Sequence, residues 1–216
     1  MINKRLKQGI IKVKRPKQQL KMSLGTIAII LCCLMLILIS TFTQIKIHYS
    51  MPEIDFLENV DIKYIPQIPT IIFISALLGR KWAMITVLFY ILVGLTTKYS
   101  IFALGGGFSY IFEYSFGYIL GFLFGAFACA KALVVKKGQI AFLKILYAPI
   151  LSVLVIHFIG ILYMVVIAVL RHDSLSYIQD LIYYQSLTKI AYDIIFSLLA
   201  IIFAKICKKF LWIIPG

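Results

Sequence analysis

Residues 102–126 read FALGGGFSYIFEYSFGYILGFLFGA, a stretch that holds nearly half of the 13 glycines of the chain. Three of these glycines are consecutive and three recur every four residues, and in order they are Gly105, Gly106, Gly107, Gly117, Gly121 and Gly125. Glycine in a helix interior is unfavourable relative to alanine, because it loses the most backbone freedom on folding. Each group of glycines therefore needs a physical reason.

The second group falls inside an uncharged run, residues 114–130, which predicts a membrane helix. Positions four residues apart lie on one stripe of a helix, and small residues there let two helix backbones approach closely in lipid. Gly117, Gly121 and Gly125 therefore predict a close helix contact, either inside the bundle or with a partner protein.

The consecutive glycines precede that helix and predict a bare loop. Such a loop can adopt positive φ angles and lets a backbone approach another group closely. Two interpretations stay open for Gly105, Gly106 and Gly107: a flexible turn, or a loop that closes over a ligand.

The composition indicates lipid as the solvent. The chain has 216 residues, of which 62% are apolar, and its mean hydropathy is +0.99. A soluble domain is about 45–50% apolar. We expect one membrane domain, with no room for a soluble catalytic domain.

The uncharged runs predict an all-α membrane protein with six transmembrane helices. These are approximately 23–45, 66–79, 82–97, 114–130, 142–170 and 187–205. Residues 1–22 form a basic cytosolic tail, residues 23–205 the six-helix domain, and residues 206–216 a short cytosolic tail.

The charges separate onto two sides of this predicted bundle. The N-terminal tail, the turn at Arg80 and Lys81, the loop between the fourth and fifth helices and the C-terminal end are basic and carry no acid. All eight acidic residues fall on the other side. Because cytoplasmic loops of membrane proteins are enriched in Lys and Arg, we expect both termini in the cytoplasm and the chain in the cell membrane. The basic tail is then a topology signal and a contact for anionic lipid, and not a nucleic-acid site.

No enzyme motif is present in the sequence. The glycines at 105–107 are not followed by the Gly-Lys-Ser/Thr of a phosphate-binding loop. The four cysteines lack the spacing of a disulfide framework or metal site. His157 has no second metal ligand one turn away, and we expect it to form hydrogen bonds within the bundle. We predict no catalytic activity, no cofactor and no metal.

Polar groups inside a membrane are costly, so they indicate function. Asp193 lies about two turns into the last predicted helix, and Lys189 precedes it by one turn on the same face. The two charges either neutralise each other or line a cavity, where they bind the polar groups of a ligand. Tyr118 and Glu113, near the start of the fourth helix, belong either to an aromatic belt at the membrane interface or to the same pocket.

The order of several motifs resembles the BioY family. These are Ile-Pro-Gln-Ile-Pro (65–69), Ala-Leu-Leu-Gly-Arg (76–80), Leu-Phe-Tyr-Ile-Leu-Val-Gly-Leu (88–95), Phe-Ala-Leu-Gly-Gly-Gly (102–107) and Phe-Gly-Tyr-Ile-Leu-Gly-Phe (116–122). His157-Phe-Ile-Gly-Ile-Leu-Tyr is similar to the fifth helix of the family, and Tyr192-Asp193 to the polar position of its sixth. BioY proteins are the biotin-binding S components of energy-coupling-factor (ECF) transporters.

The resemblance implies the S-component fold, biotin as substrate, and two partners: a membrane coupling protein and a pair of ATPases. It also implies that the first helix contacts the coupling protein through small residues, here Ala28 and Cys32. Family members commonly carry a Lys three residues after the Asp of the last helix, whereas this chain has Phe196.

The resulting hypothesis is that Asp193 accepts the ureido N–H groups of biotin and that the fused rings pack on Tyr118. The carboxylate meets Lys189, Lys98 or Arg171, and the glycine loop closes over the ligand. Alternatives are an S component for another vitamin, a structural or assembly membrane protein without a substrate, or a membrane enzyme using Asp193 with His157.

Overall fold

The computed structural model describes residues 24–49, 60–96, 99–103, 105–134 and 141–211. The described chain is largely helical, as predicted, and includes a two-stranded hairpin and a short helix at Leu175–Ile182 that were not predicted. In chain order the elements are α1 (Leu24–Phe42), β1 (Ile45–Tyr49), β2 (Val60–Tyr64), α2 (Gln67–Thr96), a 3-10 turn (Phe108–Phe112), α3 (Phe116–Ala132), α4 (Ala141–Leu170), α5 (Leu175–Ile182), a π turn (Tyr183–Leu187) and α6 (Thr188–Leu211).

The segment α2 folds back on itself at one residue. Gly79 has φ 75° and ψ 179°, which is not helical, and this region of backbone space is essentially restricted to glycine. The side-chain amide of Gln67 donates from Nε2 to the hydroxyl of Tyr90 at 3.3 Å. In one straight helix these residues would stand about 35 Å apart. The two helices predicted at 66–79 and 82–97 are therefore the two halves of α2.

Four segments of the described residues are candidate membrane spans by length and composition, when the two halves of α2 are counted as one segment. They are Leu24–Phe42, Gln67–Thr96, Phe142–Leu170 and Leu175–Phe210, and Phe116–Ala132 is a shorter apolar helix. The observed helices differ from the predicted ones mainly at their ends: α1 stops at Phe42, and α6 continues to Leu211, into the predicted C-terminal tail. The predicted N-terminal tail lies outside the described residues.

A short antiparallel hairpin connects α1 to α2. In its register Ile45 faces Tyr64, and Lys46 faces Lys63. Residues paired directly across two strands have their side chains on the same face of the sheet, so Ile45 and Tyr64 share one face of the hairpin. The Tyr64 side chain is buried and points into the bundle, while Lys63 is exposed.

The glycine stripe of α3 packs against α4, which answers the question of its partner. A Cβ atom on Gly121 would lie 2.9 Å from the carbonyl oxygen of Ile156, and one on Gly125 would lie 2.4 Å from the Ile156 side chain. A Cβ atom on Gly117 would lie 2.4 Å from Cβ of Tyr163. The stripe therefore serves the internal bundle, where missing side chains let α3 and α4 touch along their length.

The two ends of the bundle differ in charge. At one end Arg80 and Lys131 both approach the ring of Phe127, at 5.8 Å and 5.7 Å from its centroid. At the other end Arg171 lies 3.8 Å from the carboxylate of Glu113. The basic turn of α2 and the end of α3 thus share one end, as the charge pattern predicts.

The contact of α3 with α4 yields a first prediction. We expect Gly121→Ala to lower the free energy of unfolding by about 1–3 kcal/mol, because its methyl group meets backbone that cannot rotate away. Thermal unfolding of the purified protein in detergent measures the change. Phe124→Leu, on the exposed side of the same helix, is the control and should change stability much less. Equal stability of Gly121→Ala and the wild type would contradict the close contact.

Candidate ligand-binding site

The carboxylate of Asp193 lies inside the bundle, with only 2% of the residue exposed. The hydroxyl of Tyr64 donates to its Oδ1 at 2.8 Å. Nε2 of His157 lies 3.0 Å from its Oδ2. A buried carboxylate without such partners would be strongly destabilising, so Tyr64 and His157 are the groups that allow Asp193 to occupy this position.

Two further side chains continue the chain of hydrogen bonds. Nδ1 of His157 lies 2.9 Å from Oγ of Ser186. The same Oγ lies 2.6 Å from the hydroxyl of Tyr118. The series Tyr64–Asp193–His157–Ser186–Tyr118, here called the polar network, therefore connects β2, α6, α4, the π turn and α3. The prediction that His157 forms hydrogen bonds within the bundle is confirmed.

The π turn places Ser186 in this network. Over Tyr183–Leu187 the helix widens by one residue per turn, a feature that is frequent at functional sites. Ser186 is fully buried, whereas its neighbours Tyr184 and Leu187 are each 60% exposed. The widened turn therefore directs one small polar side chain into the bundle and leaves the large apolar ones outside.

A glycine of α4 makes room for the last member of the network. A Cβ atom on Gly160 would lie 2.5 Å from Cδ1 of Tyr118, so the tyrosine ring occupies the space that a side chain would fill. The ring also meets His157 edge to face, with the centroids 5.7 Å apart. Gly160 and His157 together fix the position of the Tyr118 hydroxyl.

The structure brings together some of the predicted site residues. Asp193 and Tyr118 belong to one network with His157, and its remaining members Tyr64 and Ser186 were not predicted. No sequence pattern distinguishes Tyr64 or Ser186. Tyr64 reaches the site because the hairpin directs it inward, and Ser186 because the π turn does.

Lys189 is half-buried and does not form the direct ion pair that its spacing permits. Among the described residues, the side chains in hydrogen-bond contact with the Asp193 carboxylate are Tyr64 and His157. Lys189 interacts with Asp193 electrostatically from one turn away. Both interpretations of the pair, mutual neutralisation and binding to the polar groups of a ligand, stay predictions.

The consecutive glycines form a tight turn against the rest of the chain. Phe102 and Gly105 exchange two backbone hydrogen bonds, of 2.8 Å and 3.1 Å, and the amide of Gly107 donates to the carbonyl of Gly94 at 2.8 Å. A Cβ atom on Gly106 would lie 2.2 Å from the carbonyl oxygen of Tyr99. Close backbone approach within the chain accounts for these glycines, and their role over a ligand stays a prediction.

Charged and aromatic side chains surround the end of the bundle that carries the consecutive glycines. The Arg171 guanidinium donates to the carbonyl of Phe112 at 2.7 Å and stacks 4.6 Å from the centroid of the Tyr114 ring. The hydroxyl of Tyr114 donates to Asp173 at 2.6 Å, and this hydrogen bond raises the pKa of Tyr114 above its ordinary value. Lys98, another predicted cation of this rim, lies outside the described residues.

An apolar groove of about 400 Å³ runs beside the polar network. It lies between α1, the first half of α2 and α6, and Tyr64 and Phe196 form part of its wall. Their rings stack with centroids 5.3 Å apart. Tyr64 therefore separates the groove, which its ring lines, from Asp193, which its hydroxyl contacts.

The small residues predicted on the first helix lie on its exposed side. Ala28 and Cys32 are both exposed, whereas Cys33 is buried. The face that carries Ala28 and Cys32 is thus available to a neighbouring protein or to lipid. In the described part of the chain no cluster of three or more His, Cys, Asp or Glu side chains could hold a metal ion.

The fold is similar to that of an S component of the ECF type. The structure is similar to the crystal structure at 2.1 Å of the S-component for biotin from an ECF-type ABC transporter, with a TM-score of 0.62, 19% sequence identity, and coverage of 86% of this chain and 91% of that one. The chain belongs to the BioY family, whose model matches residues 14–211. No curated protein is significantly similar in sequence.

The contact between Tyr64 and Asp193 yields a second prediction. We expect Tyr64→Phe to lower the free energy of unfolding by about 1–3 kcal/mol, because it removes a donor from a buried carboxylate. Chemical unfolding in detergent measures the loss. Tyr99→Phe, at a residue that is 80% exposed, should be nearly neutral. If both variants have the same stability as the wild type, the carboxylate does not depend on Tyr64.

Proposed function

We propose that the protein is the substrate-binding S component for biotin uptake across the cell membrane. The observation that carries the proposal is the buried carboxylate of Asp193 in a chain of the BioY family. A carboxylate inside a membrane bundle indicates a functional site by default. Biotin offers two ureido N–H groups, and a carboxylate is an acceptor that suits them.

The polar network supports Asp193 as the head-group site. Each carboxylate oxygen accepts one internal hydrogen bond, from Tyr64 or His157, and retains a lone pair for a ligand. Tyr118, beside His157, offers an aromatic face on which the fused rings of the ligand would pack. Gly105, Gly106 and Gly107 would cover the ligand from the extracytoplasmic side.

The charges near this end of the bundle suggest partners for the ligand carboxylate. Lys189 lies one turn from Asp193 and is half-buried, so it is the cation best placed for a ligand whose head contacts Asp193. Arg171 already interacts with Glu113 and the Phe112 carbonyl, and would have to exchange these contacts. Lys98 is the third candidate.

The partners follow from the class of transporter. We infer that a membrane coupling protein and a pair of ATPases drive transport, and that the exposed face of α1 with Ala28 and Cys32 contacts the coupling protein. Six crossing helices, with the two halves of α2 counted separately, would place both termini in the cytoplasm. The basic end of the bundle, with Arg80 and Lys131, would then face the cytoplasm.

One observation favours a second candidate, an S component for another vitamin. Three residues after Asp193 stands Phe196, an aromatic residue that stacks on Tyr64 and lines the apolar groove. A phenyl ring here cannot meet an anionic group of a ligand, so this part of the site favours an apolar one. Competition between biotin and other vitamins distinguishes the two candidates.

Binding to the purified protein tests the assignment of biotin. We expect a dissociation constant below 1 μM, which corresponds to a binding free energy beyond about −8 kcal/mol. Isothermal titration calorimetry in detergent gives the value. An affinity no better than micromolar would exclude biotin as the substrate, and a thermal-shift screen of other vitamins would then identify the ligand.

Substitution of the carboxylate tests the site. Asp193→Asn should weaken biotin binding by a factor of about 10–100, because a hydrogen bond to a charged acceptor is replaced by a neutral one. Asp180→Asn, on the exposed side of α5, is the matched control and should bind as the wild type does. Equal affinity of Asp193→Asn and the wild type would show that Asp193 is not the ureido partner.

A further inference from the structure

The hydrogen bonds of the polar network have a direction that can be worked out by counting protons. Tyr64 donates to Asp193, because an ionised carboxylate accepts and cannot donate. Nε2 of His157 lies 3.0 Å from the other carboxylate oxygen, so it carries a proton and donates it. These two donors fix the first half of the network.

The tautomer of His157 determines the second half. The charged or titratable groups around His157 are Asp193, Tyr118 and, through Asp193, Tyr64, and Lys189 interacts with Asp193 from one turn away. The neutral tautomer that donates from Nε2 to Asp193 has a lone pair on Nδ1.

The lone pair on Nδ1 determines the remaining bonds. Ser186 must donate its single proton to Nδ1, over 2.9 Å. The oxygen of Ser186 must therefore accept from Tyr118, over 2.6 Å. The hydroxyl proton of Tyr118 is thereby used inside the protein, and only the lone pairs of its oxygen remain.

We propose that His157 and Ser186 are positioning residues that turn the Tyr118 hydroxyl into a hydrogen-bond acceptor for the ligand. Together with Asp193, Tyr118 then gives the head-group site two acceptors on different helices, α6 and α3, and every hydroxyl or imidazole proton of the network is already used. The site selects a cyclic head group that carries N–H donors on both sides. This inference rests on the proposed function and adds the second N–H partner, which the sequence does not indicate.

Isosteric ligands test the direction of the network. The probes are biotin and its two oxazolidinone analogues, in each of which one ureido N–H is replaced by a ring oxygen. We expect the analogue whose oxygen faces the Tyr118 lone pair to bind at least about tenfold more weakly than biotin, since a hydrogen bond becomes a contact between two acceptors. If both oxazolidinone analogues bind as tightly as biotin, the proposal is overturned.

Variants of the network make the test specific. In Ser186→Ala the Tyr118 hydroxyl has no internal acceptor and can donate to a ligand oxygen. The preference for biotin over the analogue whose ring oxygen faces Tyr118 should then fall by about tenfold. The same preference should also fall in Tyr118→Phe. The control is Ser115→Ala, which removes another serine paired with a tyrosine hydroxyl, that of Tyr110 at 2.7 Å, outside the network. The control should retain the wild-type preference. If Ser186→Ala retains it as well, Ser186 does not set the direction.

A second pair of probes separates this proposal from the assignment of biotin. The isolated head groups imidazolidin-2-one and oxazolidin-2-one differ by the same N–H to oxygen exchange. At millimolar concentration imidazolidin-2-one should raise the melting temperature of the wild type more than oxazolidin-2-one does, and Ser186→Ala should lose this difference. If the fragments behave so while biotin does not bind, the network is described correctly and the substrate is a different cyclic N–H donor. If biotin binds but neither the fragments nor the analogues are discriminated, the acceptor role of Tyr118 is wrong.

Discussion

The buried carboxylate of Asp193 is the centre of the hydrogen bonds that connect the helices and the hairpin of this bundle. An aspartate inside a membrane protein is destabilising unless other groups donate to it, and Asp193 obtains its donors from β2 and α4. These donors in turn require a strand that turns Tyr64 inward and a histidine just past the middle of α4. The hydrogen bonds that begin at this carboxylate therefore connect the hairpin, the π turn, α3, α4 and α6.

Glycine allows this arrangement to exist at short distance. The stripe at Gly117, Gly121 and Gly125 brings α3 against α4, and Gly160 of α4 accepts the ring of Tyr118 in return. Each of the two helices therefore has at least one glycine that makes room for atoms of the other helix. His157 and Tyr118 become neighbours because their helices touch, so packing in the membrane and the geometry of the polar network have the same cause.

Much of the fold follows from the sequence, since uncharged runs and glycine spacing are properties of single helices. The helix at 114–130, the break at Gly79 and the burial of Asp193 are of this kind. Tyr64 and Ser186 are not, because nothing in a tyrosine after a lysine or a serine among tyrosines reveals that a hairpin or a π turn directs it inward. Lys189 and Asp193 share a face of one helix, yet the described side chains in hydrogen-bond contact with the carboxylate are Tyr64 and His157. Spacing shows which residues share a helix face, but tertiary partners decide which of them make contact.

The turn at Gly79 has a consequence for the surrounding lipid. The first half of α2, residues 67–78, is about 18 Å long, whereas the hydrocarbon core of a bilayer is about 30 Å thick. A helix this short leaves its ends below the level of the head groups, so the bilayer must thin locally or neighbouring elements must shield those ends. The hairpin lies directly before this helix in the chain, with β2 ending at Tyr64 and α2 beginning at Gln67, so it is the element best placed to shield that end of the helix.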